Sequence, residues 1–229
     1  MTDRPPATVP PFETILERAV ARIGRAALDG RLPEVKTAAE LEAVGDDRYL
    51  SLMSLRIFRA GLKHSVVDAK WPAFEDAFLG FDPARVRAMA DDDLDALLQD
   101  RRLIRHFGKL KSVRDNAAAM LELAKRHGGM GRYLAAWPDD DLVGLWADLS
   151  RRFSQMGGNS APYFLRMVGR DTFIFTDSVV RALVAEGVLE GPPKTAKAKR
   201  AAEAAFNAWA EESGRPRAHL SMILAQSVD

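Results

Sequence analysis

Apolar residues recur at spacings of three and four along nearly every long segment of this chain of 229 residues. This is the repeat of an amphipathic α-helix, in which residues three and four apart share one face. Only the segment 172–176 (TFIFT) is rich in residues that favour β-strands, and it is too short to found a sheet. The sequence therefore predicts an all-α fold. The predicted helices span 12–28, 38–44, 47–60, 65–79, 83–89, 92–99, 110–126, 130–136, 140–152, 160–168, 177–186, 195–212 and 216–226.

The composition is that of an ordinary globular protein, with 47% hydrophobic and 28% charged residues. No run of apolar residues approaches the ~20 residues that a membrane-spanning helix needs. The segment 1–12 (MTDRPPATVPPF) lacks the basic start and the apolar run of a signal peptide, and we interpret it as a short tail stiffened by proline. The chain contains no cysteine, which excludes disulfides and thiolate catalysis and agrees with a cytoplasmic location.

A glycine-rich turn at 156–159 (MGGN) comes directly before the apolar helix predicted over 160–168. Backbone N–H groups at such a helix start have no partner within the helix, so they form a ready site for a phosphate oxygen. Beyond this helix a short loop leads to Asp177 at the start of the next predicted helix, where either Thr176 or Asp177 is the N-cap. The pattern predicts a phosphate-binding turn followed by one carboxylate about 20 residues later.

The stretch 153–180 resembles the helix-hairpin-helix DNA glycosylases, the superfamily of endonuclease III and DNA-3-methyladenine glycosylase. FSQMGGNSA matches the hairpin that grips the DNA backbone in that family, with Gly157 on its second glycine. TDSVV matches the segment that supplies the catalytic aspartate, which places Asp177 on the acid. Gln155 stands in place of the first hairpin glycine, and Asn159 in place of the lysine with which bifunctional members form a Schiff base. The resemblance therefore implies a monofunctional enzyme.

The middle of the chain resembles DNA-3-methyladenine glycosylase I over 52–62 and 80–121. The shared sequence motifs are AGL, FDP, DDDLDALLQD and IRHFGK, and the combination is specific because of their order and spacing. Arg56 stands where that family has a glutamate that reads the flipped base, and His64 where it has a tryptophan that stacks on the base. The zinc clip of the family needs two cysteines, so we expect no zinc site of that kind in this chain.

A glycosylase cleaves a C1′–N bond without a metal while the sugar becomes cation-like. It therefore needs a nearby carboxylate, a grip on the phosphates, a wedge and a stacking surface for the flipped base. The candidate acid is Asp177. The candidates for binding the DNA backbone are Gly157, Gly158, Asn159, Ser160, Arg105 and Lys109. The candidates for the base pocket or the wedge are Arg56, Phe58, Leu62, His64 and Tyr163.

Each of these assignments has a purely structural alternative. In that alternative Asp177 is only a helix cap, and the turn at 156–159 is an ordinary loop with Asn159 or Ser160 as its N-cap. Leu62 is then a core leucine, and the aromatic candidates are core residues as well. The segment 101–114 holds six lysine or arginine residues and no acid, which fits either phosphate binding or a solvated helix face.

The domain prediction is a single glycosylase-like unit over 1–229 with two helical subdomains. A helical bundle at 83–182 ends in the helix-hairpin-helix, and the second subdomain combines 12–80 with 183–229. We expect the cleft between the subdomains to hold Asp177 and the AGL turn at 60–62.

The predicted function is DNA repair by excision of a damaged base, with an alkylated, 3-methyladenine-like base as the expected class. A catalytically weak or inactive DNA-binding protein on the same fold is the alternative, and a helical interaction domain without a nucleic-acid role is a third. We expect a monomer that binds double-stranded DNA with a damaged base and lies in the cytoplasm with the nucleoid, away from membranes. No cofactor is expected, apart from a monovalent cation at the hairpin.

Overall fold

The computed structural model describes residues 9–229, and these residues form fourteen α-helices, one 3-10 helix and no β-strand. The predicted proline-stiffened tail falls mainly on residues 1–8, which lie outside the described residues. The 3-10 helix, Leu79–Phe81, lies between α5 and α6. The predicted all-α fold is confirmed. The α-helices are α1 (Phe12–Ile23), α2 (Arg25–Asp29), α3 (Ala38–Glu42), α4 (Asp46–Arg59), α5 (His64–Ala77), α6 (Pro83–Arg87), α7 (Asp91–Gln99), α8 (Phe107–His127), α9 (Met130–Ala136), α10 (Leu142–Arg152), α11 (Ser160–Val168), α12 (Asp177–Ala185), α13 (Ala196–Ser213) and α14 (Arg217–Gln226).

Most predicted helices agree with the observed bounds to within three residues, and α9 and α11 coincide with their predictions. The helix predicted over 12–28 is instead two helices, because Gly24 (φ 84°, ψ 149°) interrupts the helical backbone between α1 and α2. The start of α8 lies at Phe107, three residues earlier than predicted. The ring of His106 accepts a hydrogen bond from the backbone N–H of Lys109 (3.3 Å) and so caps the helix. Histidine is not among the residues that usually signal an N-cap.

Contacts divide the chain into two compact units. The first unit comprises the described residues up to Val35 together with Pro138–Gly144 and Asp171–Asp229, and the second comprises Lys36–Trp137 and Leu145–Arg170. The subdomain boundary predicted at 80–83 falls inside the second unit, because α4 and α6 both pack against α8. The hairpin therefore belongs to a unit made of Lys36–Trp137 and Leu145–Arg170, whereas the prediction was a bundle at 83–182.

In the second unit α4 packs against α8, and Ile57 of α4 and Val113 of α8 are almost fully buried. An aromatic cluster lies beside α4. Phe58 packs against Phe74 with 4.6 Å between ring centroids, and Trp71 stacks on Phe74 at 4.9 Å. Burial of aromatic and aliphatic side chains of this size is worth about 1.5–3 kcal/mol each, so this packing fixes α4 relative to its neighbours.

In the first unit the apolar face of α1 is buried through Phe12, Ile15, Leu16 and Ala19, which recur at helical spacing. The rings of Phe173 and Phe206 stack with 4.2 Å between their centroids. No helix formed by residues 9–229 has both the length and the apolar character needed to cross a membrane.

Several helices are capped by carboxylates that lie far away in the sequence. The first N–H group of α1 donates to Glu212 (3.0 Å), and the first N–H group of α9 donates to Asp46 (2.8 Å). Glu203 accepts from the second residue of α10 (2.7 Å), and Asp171 accepts from the first two residues of α14 (3.0 and 2.8 Å). Each carboxylate satisfies an N–H group that has no partner within its helix and interacts favourably with the helix dipole. These caps join segments that local sequence patterns do not connect.

Candidate nucleic-acid interface

The hairpin turn, residues 153–159, joins α10 to α11 in the second unit. Gly157 and Gly158 are exposed, and so is Asn159, which directly precedes α11. The side chain of Asn159 makes no capping hydrogen bond, so the predicted capping role is not taken by this side chain. The N–H of Ser160 donates to the carbonyl of Gly157 (3.1 Å) and closes the turn. The turn thus presents exposed glycine backbone directly before the start of α11.

Gln155 has a left-handed backbone conformation (φ 64°) at the position where the resemblance places the first hairpin glycine. A residue with a Cβ atom pays roughly 1–2 kcal/mol in this region, whereas glycine adopts it freely. The turn therefore keeps the conformation suited to glycine although glutamine stands there. The missing glycine does not abolish the hairpin geometry.

Asn116 holds the hairpin turn from α8. Its amide nitrogen donates to the carbonyl of Ser154 (3.1 Å), and its amide oxygen accepts from the N–H of Ser154 (2.7 Å). Asn116 is fully buried. This residue was not among the candidates from the sequence. The signal that could have found it is a single amide side chain that lies, at helical spacing, between Val113 and Met120 on an otherwise apolar helix face.

Several arginines around the hairpin turn already form ion pairs with a carboxylate or donate hydrogen bonds to backbone carbonyls. Arg151 and Arg152 both pair with Asp148, which also accepts a hydrogen bond from the hydroxyl of Tyr133 (2.6 Å). Arg170 is 5% exposed and donates to backbone carbonyls at 2.9 and 3.1 Å, so it supports the fold. These arginines contribute less positive charge to the surface than their number in the sequence indicates.

Much of the basic segment 101–114 is likewise neutralised or used internally. Arg102 pairs with Asp100 (2.8 Å) and Asp76 (3.1 Å), Lys111 with Asp115 (2.7 Å), and Arg114 with Asp91 (2.7 Å). Arg105, by contrast, is exposed and has no hydrogen bond or ion pair with any residue in 9–229. The guanidinium of Arg105 is therefore accessible, and its contact with the DNA backbone stays a prediction.

Lys109, the other predicted backbone contact, points into the fold. Its ammonium donates to the carbonyls of Ala60 (2.7 Å) and Phe58 (3.3 Å) and ties the start of α8 to the AGL turn. Burial lowers the pKa of Lys109, and the positive charge of Arg56 lowers it further. The prediction that Lys109 is a phosphate contact did not anticipate this internal role, which depends on how α8 packs on α4.

The AGL turn places its leucine on the surface. Gly61 is in the left-handed region (φ 76°), and the side chain of Leu62 is 43% exposed, so the alternative of a core leucine is wrong. His64 is the exposed first residue of α5. Phe107, the first residue of α8, is 51% exposed, and it was not among the candidate residues although it lies in the IRHFGK motif.

Arg56 on α4 and Tyr163 on α11 come together within the second unit, with the guanidinium carbon 4.6 Å from the centre of the tyrosine ring. The Nε atom of Arg56 is buried without a hydrogen-bond partner. Phe58, a third pocket candidate, is fully buried against Phe74 and Trp71. It therefore supports α4 from the core and offers no surface on which a base can stack.

Asp177 lies in the first unit, as the first residue of α12. The N-cap is Thr176, whose hydroxyl accepts from the N–H of Val179 (3.2 Å). The carboxylate of Asp177 is exposed and forms no hydrogen bond or ion pair within residues 9–229. Of the two capping residues left open by the sequence, the structure selects Thr176. The position of Asp177 relative to the AGL turn remains a prediction.

Within residues 9–229 there is no group of three or more His, Cys, Asp or Glu side chains placed to hold a metal ion. The candidate groups of the second unit are thus a glycine turn with exposed cationic and apolar side chains, and the candidate of the first unit is one carboxylate.

Residues 41–153 match the model of the methyladenine glycosylase family. Two curated relatives match a shorter segment. DNA-3-methyladenine glycosylase 1 of Escherichia coli (strain K12) is 38% identical over 65 residues, and DNA-3-methyladenine glycosylase of Haemophilus influenzae is 39% identical over 67 residues. The matched segments span 28% and 29% of this chain, and 35% and 36% of the respective relatives. The sequence match therefore covers about a third of each relative's length.

Solved structures share the fold over a longer stretch. A variant of 3-methyladenine DNA glycosylase I in complex with 3-methyladenine is similar with a TM-score of 0.52 at 20% identity, over 63% of this chain and 84% of that one. The 8-oxoguanine glycosylase/lyase of Methanocaldococcus jannaschii, in complex with a 15mer DNA containing 8-oxoguanine, is similar with a TM-score of 0.50 at 16% identity, over 92% and 93% of the two chains. The predicted helix-hairpin-helix DNA glycosylase fold is confirmed.

Proposed function

We propose that this chain, which has the helix-hairpin-helix DNA glycosylase fold, excises a damaged base of the alkylated class from double-stranded DNA by hydrolysing its N-glycosidic bond. Asp177 is the observation that carries the proposal. Its carboxylate is exposed at a helix start, while the neighbouring Thr176 makes the cap. A charged side chain without a structural partner is available for chemistry. The family match over 41–153 supports the same activity.

The hairpin turn supplies the grip on DNA in this proposal. Exposed backbone at Gly157 and Gly158 leaves room for a phosphate, which would lie near the positive end of the helix dipole of α11. Asn159, Ser160 and Arg105 complete the proposed backbone contacts. Binding of this kind holds the duplex without reading its sequence.

A monovalent cation at the hairpin turn is also part of the proposal. Backbone carbonyl oxygens suit such an ion, and those of Ser154 and Gly157 keep a second lone pair after accepting their hydrogen bonds. The ion would position a phosphate, and no chemical step depends on it.

Asp177 acts on the sugar. As the C1′–N bond breaks, its electron pair moves to the base and the sugar becomes cation-like, and a fixed carboxylate stabilises that charge and orients the attacking water. Asn159 occupies the place of the Schiff-base lysine, so we propose hydrolysis without strand cleavage. The flipped base leaves the stack at a cost of a few kcal/mol, which a wedge offsets by filling the gap. Leu62, exposed in the AGL turn, is the proposed wedge, and His64 and Tyr163 are the proposed contacts to the base.

The proposed partner is double-stranded DNA that contains a damaged base, bound by a monomer in the cytoplasm on the nucleoid. The alternative, a DNA-binding protein on this fold with little or no catalysis, is favoured by one observation. The unneutralised cation of Arg56 beside Tyr163 is a poor partner for a positively charged alkylated base.

Incubation with duplexes that each contain a single lesion, followed by alkaline cleavage at abasic sites, tests the proposal. We expect the wild-type chain to create abasic sites and Asp177→Asn to lose this activity. Asp92→Asn is a matched control, because Asp92 is also an exposed acid in the first turn of a helix. Salt-dependent DNA binding without excision of any lesion would favour the DNA-binding alternative, and the absence of both would remove the proposed function.

A further inference from the structure

We propose that Arg56 and Tyr163 select a base that is neutral at pH 7 and presents hydrogen-bond acceptors, such as the O6 and N7 atoms of an O6-alkylated guanine. This inference rests on the proposed glycosylase function and names its substrate class. It excludes bases that carry a positive charge from alkylation at a ring nitrogen.

The geometry places the pair beside the hairpin turn. Tyr163 lies in the first turn of α11, which begins where the hairpin turn ends, and α11 packs against α4. Arg56 reaches from α4 over the tyrosine ring, 4.6 Å from its centre. Both side chains are half-buried, so each keeps an accessible part. A nucleotide held by the hairpin turn is thus near a planar cation supported by an aromatic ring.

The charge of this guanidinium is not neutralised by the protein. Arg56 forms no ion pair or hydrogen bond with any residue in 9–229, and its buried Nε has no acceptor. The ammonium of Lys109, on the neighbouring start of α8, faces backbone carbonyls and no carboxylate. Arg59, one turn after Arg56 along α4, has its own partner in Asp68 (2.7 Å). The local charge is therefore positive.

The pKa directions agree with this arrangement. Burial lowers the pKa of Arg56, Tyr163 acts in the opposite direction, and Arg59 lowers it further, so that the pKa is lowered overall. Burial lowers the pKa of Lys109 as well, and Arg56 adds to it. A base that is itself a cation would add a third positive charge to a half-buried site. A neutral base with acceptors would instead supply the missing hydrogen-bond partners, and the fork of a guanidinium matches the O6 and N7 edge of guanine.

The same charge assists departure of a neutral base. When the C1′–N9 bond breaks, the bonding electron pair goes to N9, so a neutral base leaves with negative charge that the guanidinium stabilises. The water oxygen bonds to C1′, and the proton that the water loses ends on the released base, which balances the hydrolysis. A base that starts as a cation leaves as a neutral molecule and gains nothing from Arg56. Arg56 thus favours the release of neutral bases and disfavours the binding of cationic ones.

Two methylated guanines provide the test, because each carries one methyl group but O6-methylguanine is neutral, whereas 7-methylguanine keeps its ring proton and is cationic. The full chain is incubated with duplexes that contain either lesion at the same position, and base release is divided by the spontaneous rate of each duplex. We expect the acceleration to be at least about ten-fold greater for O6-methylguanine. A greater acceleration for 7-methylguanine would overturn the inference and leave the proposed glycosylase function intact. No acceleration for any lesion in the wider panel would overturn the proposed function itself.

Variants identify the residue responsible. Arg56→Gln keeps hydrogen-bond donors but removes the charge, and we expect it to lower O6-methylguanine release about ten-fold or more without lowering 7-methylguanine release. Arg59→Gln is the matched control on the same helix and should leave the ratio of the two rates unchanged. Equal losses on both lesions in folded Arg56→Gln would contradict the assignment. If Arg56→Gln does not fold, the ratio of the two accelerations measured with the wild-type chain still tests the inferred base preference.

Discussion

Asn116 exchanges two hydrogen bonds with the backbone of Ser154, although 38 residues separate them in the chain. The amide fixes the beginning of the hairpin turn to α8. We expect Asn116→Ala to lower the free energy of unfolding by about 1–3 kcal/mol, because it leaves backbone groups without their partner. It should also weaken DNA binding, since a loosened turn no longer presents its N–H groups in one arrangement. Denaturant unfolding and fluorescence anisotropy with a duplex measure the two effects.

Ser112→Ala is the matched control for this change. Ser112 is buried on the same helix, and its hydroxyl donates to the carbonyl of Lys109 (2.7 Å) without touching the hairpin turn through that bond. We expect a smaller loss of stability and unchanged DNA affinity. If both variants weakened binding equally, the hairpin role of Asn116 would be refuted.

Asp177 and Thr176 have separable roles at the start of α12. Asp177→Asn should lower base excision by on the order of 10²-fold or more, because it removes one preorganised charge, while lesion binding and stability are retained. Thr176→Ala should lower the free energy of unfolding by about 1 kcal/mol through loss of the cap. Single-turnover excision and thermal unfolding of both variants check the prediction. Full activity in Asp177→Asn would show that another acid, or the weak bond of an alkylated base alone, drives the reaction.

Gly157 and Gly158 differ in what a side chain would do there. A Cβ atom at Gly157 would meet only the Ser150 hydroxyl at 3.7 Å, and its φ is not in the left-handed region, so Gly157→Val should fold. The valine would obstruct an approaching phosphate, and affinity should fall alike for all DNA sequences. At Gly158 (φ 59°) any side chain is strained as well, so Gly158→Ala should also cost roughly 1 kcal/mol of stability. Unchanged affinity of folded Gly157→Val would argue against phosphate binding at this turn.

Gln155→Gly is expected to leave the fold intact and to raise stability by up to about 1 kcal/mol. Relief of the left-handed strain at φ 64° is partly offset by the greater chain entropy of glycine in the unfolded state. Gln155→Val should instead destabilise, because a β-branched residue is poorly tolerated there. Thermal unfolding of the two variants gives the comparison. A more stable valine variant would be incompatible with this account.

Asp148 makes the stability of the second unit depend on pH. Burial raises the pKa of this carboxyl, but hydrogen bonds from Tyr133 and Arg152 outweigh burial and hold the pKa below its ordinary value. The unfolded chain then binds the proton more readily, so the stabilisation is full above the ordinary pKa and is lost as pH falls through the lowered one. Above that range Asp148→Asn should be less stable than wild type by about 1.5–3 kcal/mol, the range for hydrogen bonds to a charged group. The difference should shrink in acid.

Asp115→Asn is the control for this pH series. Its partner Lys111 is a surface residue, and such pairs contribute about 0–1 kcal/mol. Urea unfolding between neutral and acidic pH distinguishes the two carboxylates. A difference between wild type and Asp148→Asn that stayed constant with pH would contradict the lowered pKa.

We expect the purified protein to carry no stoichiometric zinc, because the chain has no cysteine and its four histidines show no ligand spacing. Elemental analysis after dialysis against a weak chelator is the measurement. One retained equivalent would contradict the prediction.

The parts of the structure that local patterns determine could be predicted from the sequence. The helix at 160–168 is bounded by glycines and carries a continuous apolar face, and its observed bounds are the predicted ones. The exposure of Leu62 also agrees with its predicted use as a wedge. What could not be predicted depends on contacts between distant segments. Lys109 was expected at the DNA backbone and Phe58 in the base pocket or wedge. The packing of α8 on α4 turns Lys109 inward, and the aromatic side chains of α5 bury Phe58.

The strained backbone at Gln155 and the caps from distant carboxylates could not be predicted either, because no local sequence pattern indicates them. Backbone propensities predict glycine at a left-handed position, so no local pattern indicates that Gln155 adopts this conformation. Nothing near Phe12 indicates that Glu212 caps its helix, because the pairing exists only after α13 has packed. At α12 the sequence left the N-cap open between Thr176 and Asp177, and the structure gives it to Thr176.

The remote cap of α1 has a consequence for biosynthesis. Glu212 lies 200 residues after the N–H group that it caps. At a ribosomal rate of roughly 5–20 residues per second, about 10–40 s pass between synthesis of the two partners. During that interval all residues of the second unit, up to Arg170, have been made, whereas the first unit still lacks its C-terminal segment. The first N–H group of α1 therefore has no cap until Glu212 has been synthesised, and the hairpin-bearing unit is complete in sequence before the unit that contains Asp177.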